Sequence, residues 1–128
     1  MRLALDTNTY ADVCRGDEEA VALVARAEAL FLPFIVLGEL RAGFSLGARV
    51  RENERILQRF LAMPSVDILF PTEATAVNYA SLFRQLRDEG TPVPTNDLWI
   101  AALVIEHRLT LYSRDRYFEQ IPQLDRWA

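Results

Sequence analysis

The sequence contains no lysine, and all 14 of its basic residues are arginine. The absence of lysine excludes a P-loop, whose lysine binds nucleotide phosphates, and it excludes Schiff-base chemistry. There is one histidine, His107, and one cysteine, Cys14. Single copies exclude an HExxH metalloprotease site, a cysteine-rich zinc site and an intrachain disulfide. If the protein is an enzyme, carboxylates must do most of its chemistry.

Long apolar runs are also missing. The most apolar uncharged stretch, residues 29–38, contains a proline and is far shorter than the roughly 20 residues that span a bilayer. The amino terminus shows no signal-peptide pattern. We therefore expect a cytoplasmic protein with no membrane contact, and a lone cysteine agrees with a reducing compartment.

The composition is that of a small folded protein. Of its 128 residues, 51% are hydrophobic, which is enough for a sizeable core. The 18 acidic residues outnumber the basic ones and give a net charge of −4. No internal repeat or low-complexity segment interrupts the chain, so we expect a single domain over residues 1–128.

The hydrophobic pattern alternates between strands and helices. Short apolar runs predict four strands, at residues 2–5, 30–33, 66–70 and 109–113. Helical patterns fill the intervals, at residues 7–15, from Asp17 onward, and at 34–44, 49–63, 72–90 and 96–107, with Thr95 as the expected cap of the last. Strands separated by helices indicate a parallel sheet with helices on both faces. The predicted fold class is α/β, a three-layer α/β/α domain from which the two helices of residues 34–63 protrude as a hairpin.

Acidic residues follow two of the predicted strands. Asp6 ends the apolar run LALD, and Asp115 comes just after the last strand. Ligands of open parallel sheets bind at the carboxyl ends of the strands. A third acid, Asp97, lies in the first turn of a helix, and Glu39 stands between apolar residues of another helix.

Four converging carboxylates would repel one another unless a cation lay between them. Mg²⁺ or Mn²⁺ binds oxygen ligands of this kind, and such ions activate water against phosphodiesters. Two simpler interpretations stay open at this stage. Asp97 can be a helix-start aspartate that interacts with the helix dipole, and Glu39 can be the partner of a nearby arginine such as Arg41.

Four sequence motifs contain these acids, in the order LALDTNTY, LGELRAGF, PTNDLWIAA and LYSRDRYF. Together they resemble the PIN-domain ribonucleases, and in particular the VapC-like toxins of bacterial type II toxin-antitoxin pairs. The resemblance extends over essentially the whole chain. It implies a PIN-like α/β/α fold and a Mg²⁺- or Mn²⁺-dependent endoribonuclease. It also implies a small VapB-like antitoxin, a homodimer, and contact with DNA only through the antitoxin.

The resemblance also assigns roles to individual residues. The metal-binding and catalytic quartet corresponds to Asp6, Glu39, Asp97 and Asp115. The supporting polar positions are Thr7, Asn8, Asn96 and Ser113. Asn8 is expected either to hydrogen-bond across the site or to cap the following helix, and the hydroxyl of Ser113 is expected to orient a carboxylate or a water.

RNA binding needs positive charge in a protein that is acidic overall. Residues 41–59 contain five arginines and two glutamates, so this part of the hairpin either contacts phosphates or is a solvated face with Glu–Arg pairs. Arg114 and Arg116 flank Asp115 and are the better substrate-binding candidates, followed by Arg41. The hairpin is also expected to form an apolar groove for an antitoxin helix, with Phe34, Leu37, Leu40, Phe44, Leu46 and Leu57.

Other functions remain open from the sequence. An RNA-processing PIN nuclease would share the motifs but lack an antitoxin. A catalytically inert interaction or corepressor module is another alternative, although all four acids are present. LDTNT loosely resembles the motif of aspartate-nucleophile phosphatases, but the second aspartate of that motif and any lysine are absent.

Overall fold

A computed structural model describes all 128 residues, which form a five-stranded sheet surrounded by helices. The strands are β1 (Arg2–Leu5), β2 (Ala29–Pro33), β3 (Val66–Leu69), β4 (Thr110–Tyr112) and β5 (Asp125–Trp127). Their order across the sheet is β3-β2-β1-β4-β5, and every neighbouring pair is parallel. The predicted parallel sheet is therefore confirmed, with β1 at its centre.

Six helices connect these strands. They are α1 (Thr7–Cys14), α2 (Glu18–Arg26), α3 (Phe34–Ser45), α4 (Val50–Leu61), α5 (Glu73–Glu89) and α6 (Thr95–Glu106). A short 3₁₀ helix, Arg116–Gln120, follows β4. The sequence pattern predicted all six helices and the three-layer α/β/α arrangement, and α3 and α4 form the expected hairpin.

Capping residues explain where the helices begin and end, and one predicted cap is wrong. The Asp17 side chain accepts a hydrogen bond from the Ala20 N–H and so caps α2. Gly90 ends α5 in the left-handed region at φ 70°, where glycine has no Cβ penalty. The predicted cap Thr95 is wrong, because Thr95 is the first helical residue and Pro94 takes the cap position without a side-chain bond.

The fifth strand is absent from the sequence prediction. β5 spans only three residues and shows no apolar alternation, so its pairing with β4 depends on tertiary contacts. The Thr110 hydroxyl donates to the Asp125 carboxylate at 2.8 Å, and the Ser113 N–H donates to the Trp127 carbonyl at 3.0 Å. Asp125 is therefore a cross-strand partner of Thr110.

The core lies on both sides of the two central strands. Leu3, Leu5 and Leu111 are fully buried in β1 and β4, and α6 contributes an almost continuous buried run from Ile100 to Val104. No helix is long and apolar enough to cross a membrane. Only four polar or charged residues are buried. Asp6, Thr9 and Ser113 lie together at the carboxyl ends of β1 and β4, and the fourth, Thr75, is in α5.

Candidate active site

A small pocket opens at the carboxyl ends of β1 and β4, with a volume of about 180 Å³. All four acids predicted from the sequence contribute to its lining, together with Thr7, Asn8 and Ile100, and no basic side chain does. We call it the acidic pocket; its acids are Asp6, Glu39, Asp97 and Asp115.

Asp6 is fixed in place by hydrogen bonds to both of its carboxylate oxygens. Oδ1 accepts from the N–H and the hydroxyl of Thr9, at 2.9 and 2.8 Å, and Oδ2 accepts from the Ser113 hydroxyl. The Thr9 hydroxyl also lies 2.9 Å from the Tyr112 carbonyl, so it joins α1 to β4. Sequence reasoning missed Thr9; the available signal was a hydroxyl three residues after a helix-capping aspartate.

Glu39 is held by two residues of the first and third motifs. The Thr7 hydroxyl donates to Oε1 at 2.6 Å, and the Asn96 amide donates to Oε2 at 3.3 Å. Arg41, which was the alternative partner of Glu39, instead forms a two-pronged pair with Glu54, with both contacts at 2.9 Å. The interpretation of Glu39 as a partner of Arg41 is therefore wrong.

Asp97 differs from the other pocket acids, because no protein group donates a hydrogen bond to its carboxylate. Its partial burial, followed by the negative charges of Asp115, Glu39 and Asp6, raises its pKa to about 6. It lies in the first turn of α6, as predicted. The carboxylate is therefore uncompensated by any protein cation or donor.

Ser113 links the two acids that follow strands. Its hydroxyl donates to Asp6 and accepts the N–H of Asp115 at 3.1 Å. The Asp115 carboxylate accepts the Tyr117 N–H at 3.0 Å, which begins the 3₁₀ helix. The predicted ability of Ser113 to orient a carboxylate is matched by this geometry.

The sequence expectation for Asn8 is wrong. Asn8 lines the pocket with an exposed side chain that makes no hydrogen bond, and α1 is capped by Asp6 instead, because the strand-end carboxylate already occupies that position. Nearby, Trp99 is partly exposed and stacks on Tyr79, with ring centroids 4.0 Å apart.

The three arginines predicted to bind substrate have different surroundings. Arg114 donates to Asp12 and Asp17, both at 3.0 Å, and to the Tyr112 hydroxyl at 2.9 Å. This arrangement, with Glu19 3.8 Å away, is the Arg114 cluster. Asp12 and Asp17 are therefore ion-pair partners of Arg114. Arg41 is engaged by Glu54, whereas Arg116 is 88% exposed and has only a 3.9 Å contact, to Glu119.

The acidic pocket has the right donors for a hard divalent cation but is not closed around one. No three acidic side chains stand close enough to hold an ion as they are. The donor chemistry nevertheless fits Mg²⁺ or Mn²⁺, because all four residues offer carboxylate oxygens and Asp97 has no other partner. Small side-chain rotations within the pocket would be needed to bring the oxygens to one ion.

The comparison with known proteins identifies the family. The model of the PIN domain matches residues 3–124. The chain belongs to the PIN-domain family. Among related PIN-domain proteins, Toxin FitB of Neisseria gonorrhoeae is 30% identical over 121 residues, covering 88% of this chain and 87% of FitB. Ribonuclease VapC2 of Rickettsia felis is 31% identical over 103 residues, covering 80% and 75%.

Solved structures give the same assignment for this PIN domain. VapBC2 from Rickettsia felis, bound to a DNA fragment from its promoter, superposes with a TM-score of 0.85 at 26% identity over 99% of this chain and 98% of that one. VapBC-1 from nontypeable Haemophilus influenzae has a TM-score of 0.87 over 99% and 97%, and at 24% identity it supports the fold alone. The PIN-like fold predicted from the sequence is therefore confirmed.

Proposed function

We propose that this PIN domain is a Mg²⁺- or Mn²⁺-dependent endoribonuclease toxin, restrained by a small antitoxin in the cytoplasm. The observation that carries the proposal is the acidic pocket, in which four carboxylates face one another without a basic residue and Asp97 has no hydrogen-bond donor. A cation is the missing partner of such a group. The ribonuclease name of VapC2 and the toxin name of FitB support the choice of RNA as substrate.

Each pocket residue has a role in this proposal. Asp6, Glu39, Asp97 and Asp115 would hold the ion. When bound, the ion supplies positive charge at the phosphodiester and lowers the pKa of water. Thr9 and Ser113 keep Asp6 oriented, and Thr7 and Asn96 do the same for Glu39. The missing lysine and the missing second aspartate of the motif argue against the alternative of an aspartate-nucleophile phosphatase.

The test is cleavage of structured RNA by purified protein freed of its antitoxin. We expect cleavage with Mn²⁺ or Mg²⁺ and none in EDTA, with activity restored when the metal is returned. Mapping the RNA ends should find 5′-phosphates and 3′-hydroxyls. Strong cleavage in EDTA would contradict the proposal, and so would no cleavage of any RNA with either metal, as expected of an inert module.

The antitoxin site that we propose differs from the one expected from the sequence. Leu37 and Leu57 are buried in the core, and Leu46 is 91% exposed at the hairpin tip, so the six predicted residues do not form one groove. Two of them, Leu40 and Phe44, line a groove of about 260 Å³ between α1, α3 and α4, together with Tyr10, Cys14 and Ile56. An apolar antitoxin helix fits this chemistry.

The neighbouring gene provides the test of the antitoxin. Its product should form a complex on co-expression and inhibit cleavage, and Ile56→Asp should weaken the complex while Val21→Asp, on the distant exposed face of α2, should not. A nuclease that forms no complex would fit the alternative of an RNA-processing PIN enzyme.

We also propose a homodimer through the faces of α5 and α6. Val77 and Phe83 are 66% and 49% exposed there, next to the stacked Tyr79 and Trp99. Apolar surface of this kind on adjacent helices is typical of an interface. Light scattering should give twice the monomer mass, and Phe83→Asp should shift the mass to that of a monomer.

A further inference from the structure

Binding of RNA requires positive charge that the acidic pocket does not supply. The pocket lining has no basic side chain. Arg41 and Arg114 are close to pocket acids in sequence, but both are engaged by acidic partners. Arg116 alone remains free to turn toward a phosphate at the pocket. The rest of the RNA backbone must therefore find its positive partners elsewhere on the protein.

Helix α4 carries three arginines without acidic partners. Half of the 14 arginines have no acidic group within 4 Å, and three of those lie in this one helix. The two acids of α4 are already used, because Glu54 pairs with Arg41 and Glu52 lies 3.9 Å from Arg49. The three free residues, all exposed, are Arg51, Arg55 and Arg59, and we call them the arginine stripe.

The spacing of the arginine stripe places its members in one row. Residues four apart share a helix face, and at 1.5 Å per residue the guanidinium-bearing positions are about 6 Å apart along the axis. Leu57 is buried, and Ile56 lines the apolar groove, so the apolar side of α4 points away from the stripe. The stripe is therefore a continuous positive ridge on a solvent-facing surface.

The hairpin tip adds a shallow concavity to this ridge. It measures about 520 Å³, and Arg49, Arg51, Glu52 and Arg55 contribute to its walls. No aromatic side chain lines it. Bases would find no stacking partner there, whereas guanidinium groups bind phosphate oxygens in pairs. The chemistry thus favours the sugar-phosphate backbone over the bases.

The arginine stripe lies beside the helix that supplies a pocket carboxylate. Arg41, two residues after Glu39 in α3, forms its two-pronged pair with Glu54 of α4. This contact fixes α4 against the side of α3 that faces away from Glu39, because residues two apart lie on nearly opposite sides of a helix. RNA that reaches the stripe from the acidic pocket would therefore pass around the hairpin.

We propose that the arginine stripe binds the phosphate backbone of the RNA substrate outside the acidic pocket. The proposal rests on the proposed function, since it assumes that RNA reaches the pocket. Contacts to phosphate are independent of base sequence, so the stripe contributes affinity and orientation while the pocket cuts. An acidic segment of a protein partner is the competing occupant, and the experiment separates the two.

The first measurement is the salt dependence of binding to fluorescein-labelled oligouridylate in EDTA, where no cleavage is expected. Three lost phosphate contacts should reduce the slope of log K against log salt by about 2 for a single strand. The variant is Arg51→Gln, Arg55→Gln and Arg59→Gln combined. The control removes the same charge from three exposed arginines elsewhere that also have no acidic partner, with Arg2→Gln, Arg26→Gln and Arg108→Gln, and it should leave the slope unchanged.

The second measurement is cleavage kinetics with Mn²⁺ on a long RNA. The stripe variant should raise KM by about tenfold with kcat unchanged, and the control variant should change neither. Equal effects of the two variants, or no effect of either, would overturn the proposal. A stripe variant that binds RNA normally but no longer binds the antitoxin would overturn it in favour of a protein partner.

The two proposals fail in different ways. One outcome is that the wild-type protein cuts no RNA but binds oligouridylate with a salt dependence that the stripe variant lowers. The proposed nuclease function is then wrong, while the proposed role of the arginine stripe is kept. If the wild-type protein cuts RNA and the stripe variant is normal in both measurements, only the stripe is wrong. Circular dichroism spectra of the variants should match wild type, because all substituted side chains are exposed.

Discussion

Two groups of carboxylates lie near the carboxyl end of β4, and their surroundings differ in whether a basic side chain is present. In the Arg114 cluster, one guanidinium lies among Asp12, Asp17 and Glu19. In the acidic pocket, four carboxylates share one cavity with no cation of their own. Adjacent residues, Arg114 and Asp115, belong to the two different groups.

The pKa shifts of the two groups have opposite directions. The Ala20 N–H and then Arg114 lower the pKa of Asp17, whereas burial and then its acidic neighbours raise that of Asp97 to about 6. The same chemistry appears in the hairpin, where Arg41 holds the pKa of Glu54 at about 2. The protein thus neutralises its acids where they are structural, and it leaves them uncompensated in the pocket.

The largest expected effect comes from removing one pocket charge. Asp97→Asn or Asp6→Asn should lower the rate of RNA cleavage by at least about 100-fold, because each would weaken the hold on the metal. Asp12→Asn in the Arg114 cluster is the matched control and should cut at close to the wild-type rate. Equal losses in both groups, measured with Mn²⁺, would erase the distinction between them.

Removing the hydroxyl that orients Asp6 should have a smaller effect. Ser113→Ala takes away a donor to Asp6 and an acceptor for the Asp115 N–H, and we expect a loss of about 10-fold in cleavage rate. Ser113→Thr keeps the hydroxyl and should recover most of the rate. A fully active Ser113→Ala protein would mean that Asp6 needs no such orientation.

Breaking the Arg114 cluster should cost stability. Arg114→Gln leaves Asp12 and Asp17 close together without their cation, and we expect a small loss in the free energy of unfolding, because the group is largely exposed to solvent. Urea unfolding measures it. Arg116→Gln, which removes an exposed arginine, is the control, and adding Asp12→Asn to Arg114→Gln should restore part of the loss.

The free energy of unfolding of the metal-free protein should depend on pH because of Asp97. Its folded pKa of about 6 lies above the ordinary value of 3.8, so its contribution favours folding at pH below that ordinary value and is lost as pH rises through about 6. Asp17 acts in the opposite sense, since its lowered pKa adds stability that is lost only as the pH falls below the ordinary range. Urea unfolding of the wild-type protein in EDTA should show a free energy of unfolding that declines as the pH rises through about 6. The Asp97→Asn variant should show no such decline.

The sequence indicated most of the fold because its apolar periods are clear. It placed Asp6, Asp115 and Asp97 because each stands just after a strand or near a helix start, where backbone direction brings side chains together. Glu39, in the middle of α3, was placed because it stands between apolar residues and within the second motif. The sequence did not predict β5, because its three residues show no apolar alternation and form a strand only by pairing with β4. The sequence did not predict the Arg114 cluster for a similar reason: Arg114 and Asp12 are 102 positions apart, and no local pattern indicates their contact. Thr9 was missed despite a local signal, its hydroxyl three residues after the helix-capping Asp6.

The central claim is that the acidic pocket is left uncompensated so that it can hold a cation. Thermal melting of wild type and Asp97→Asn, each in EDTA and in Mn²⁺, tests it with four samples. In EDTA the variant should be the more stable by about 1 kcal/mol, because one repelling charge is gone and partial exposure discounts the shift. In Mn²⁺ the order should reverse, since wild type gains more binding free energy. Equal stabilisation of both proteins by Mn²⁺ would contradict the claim and make Asp97 an ordinary helix-start aspartate.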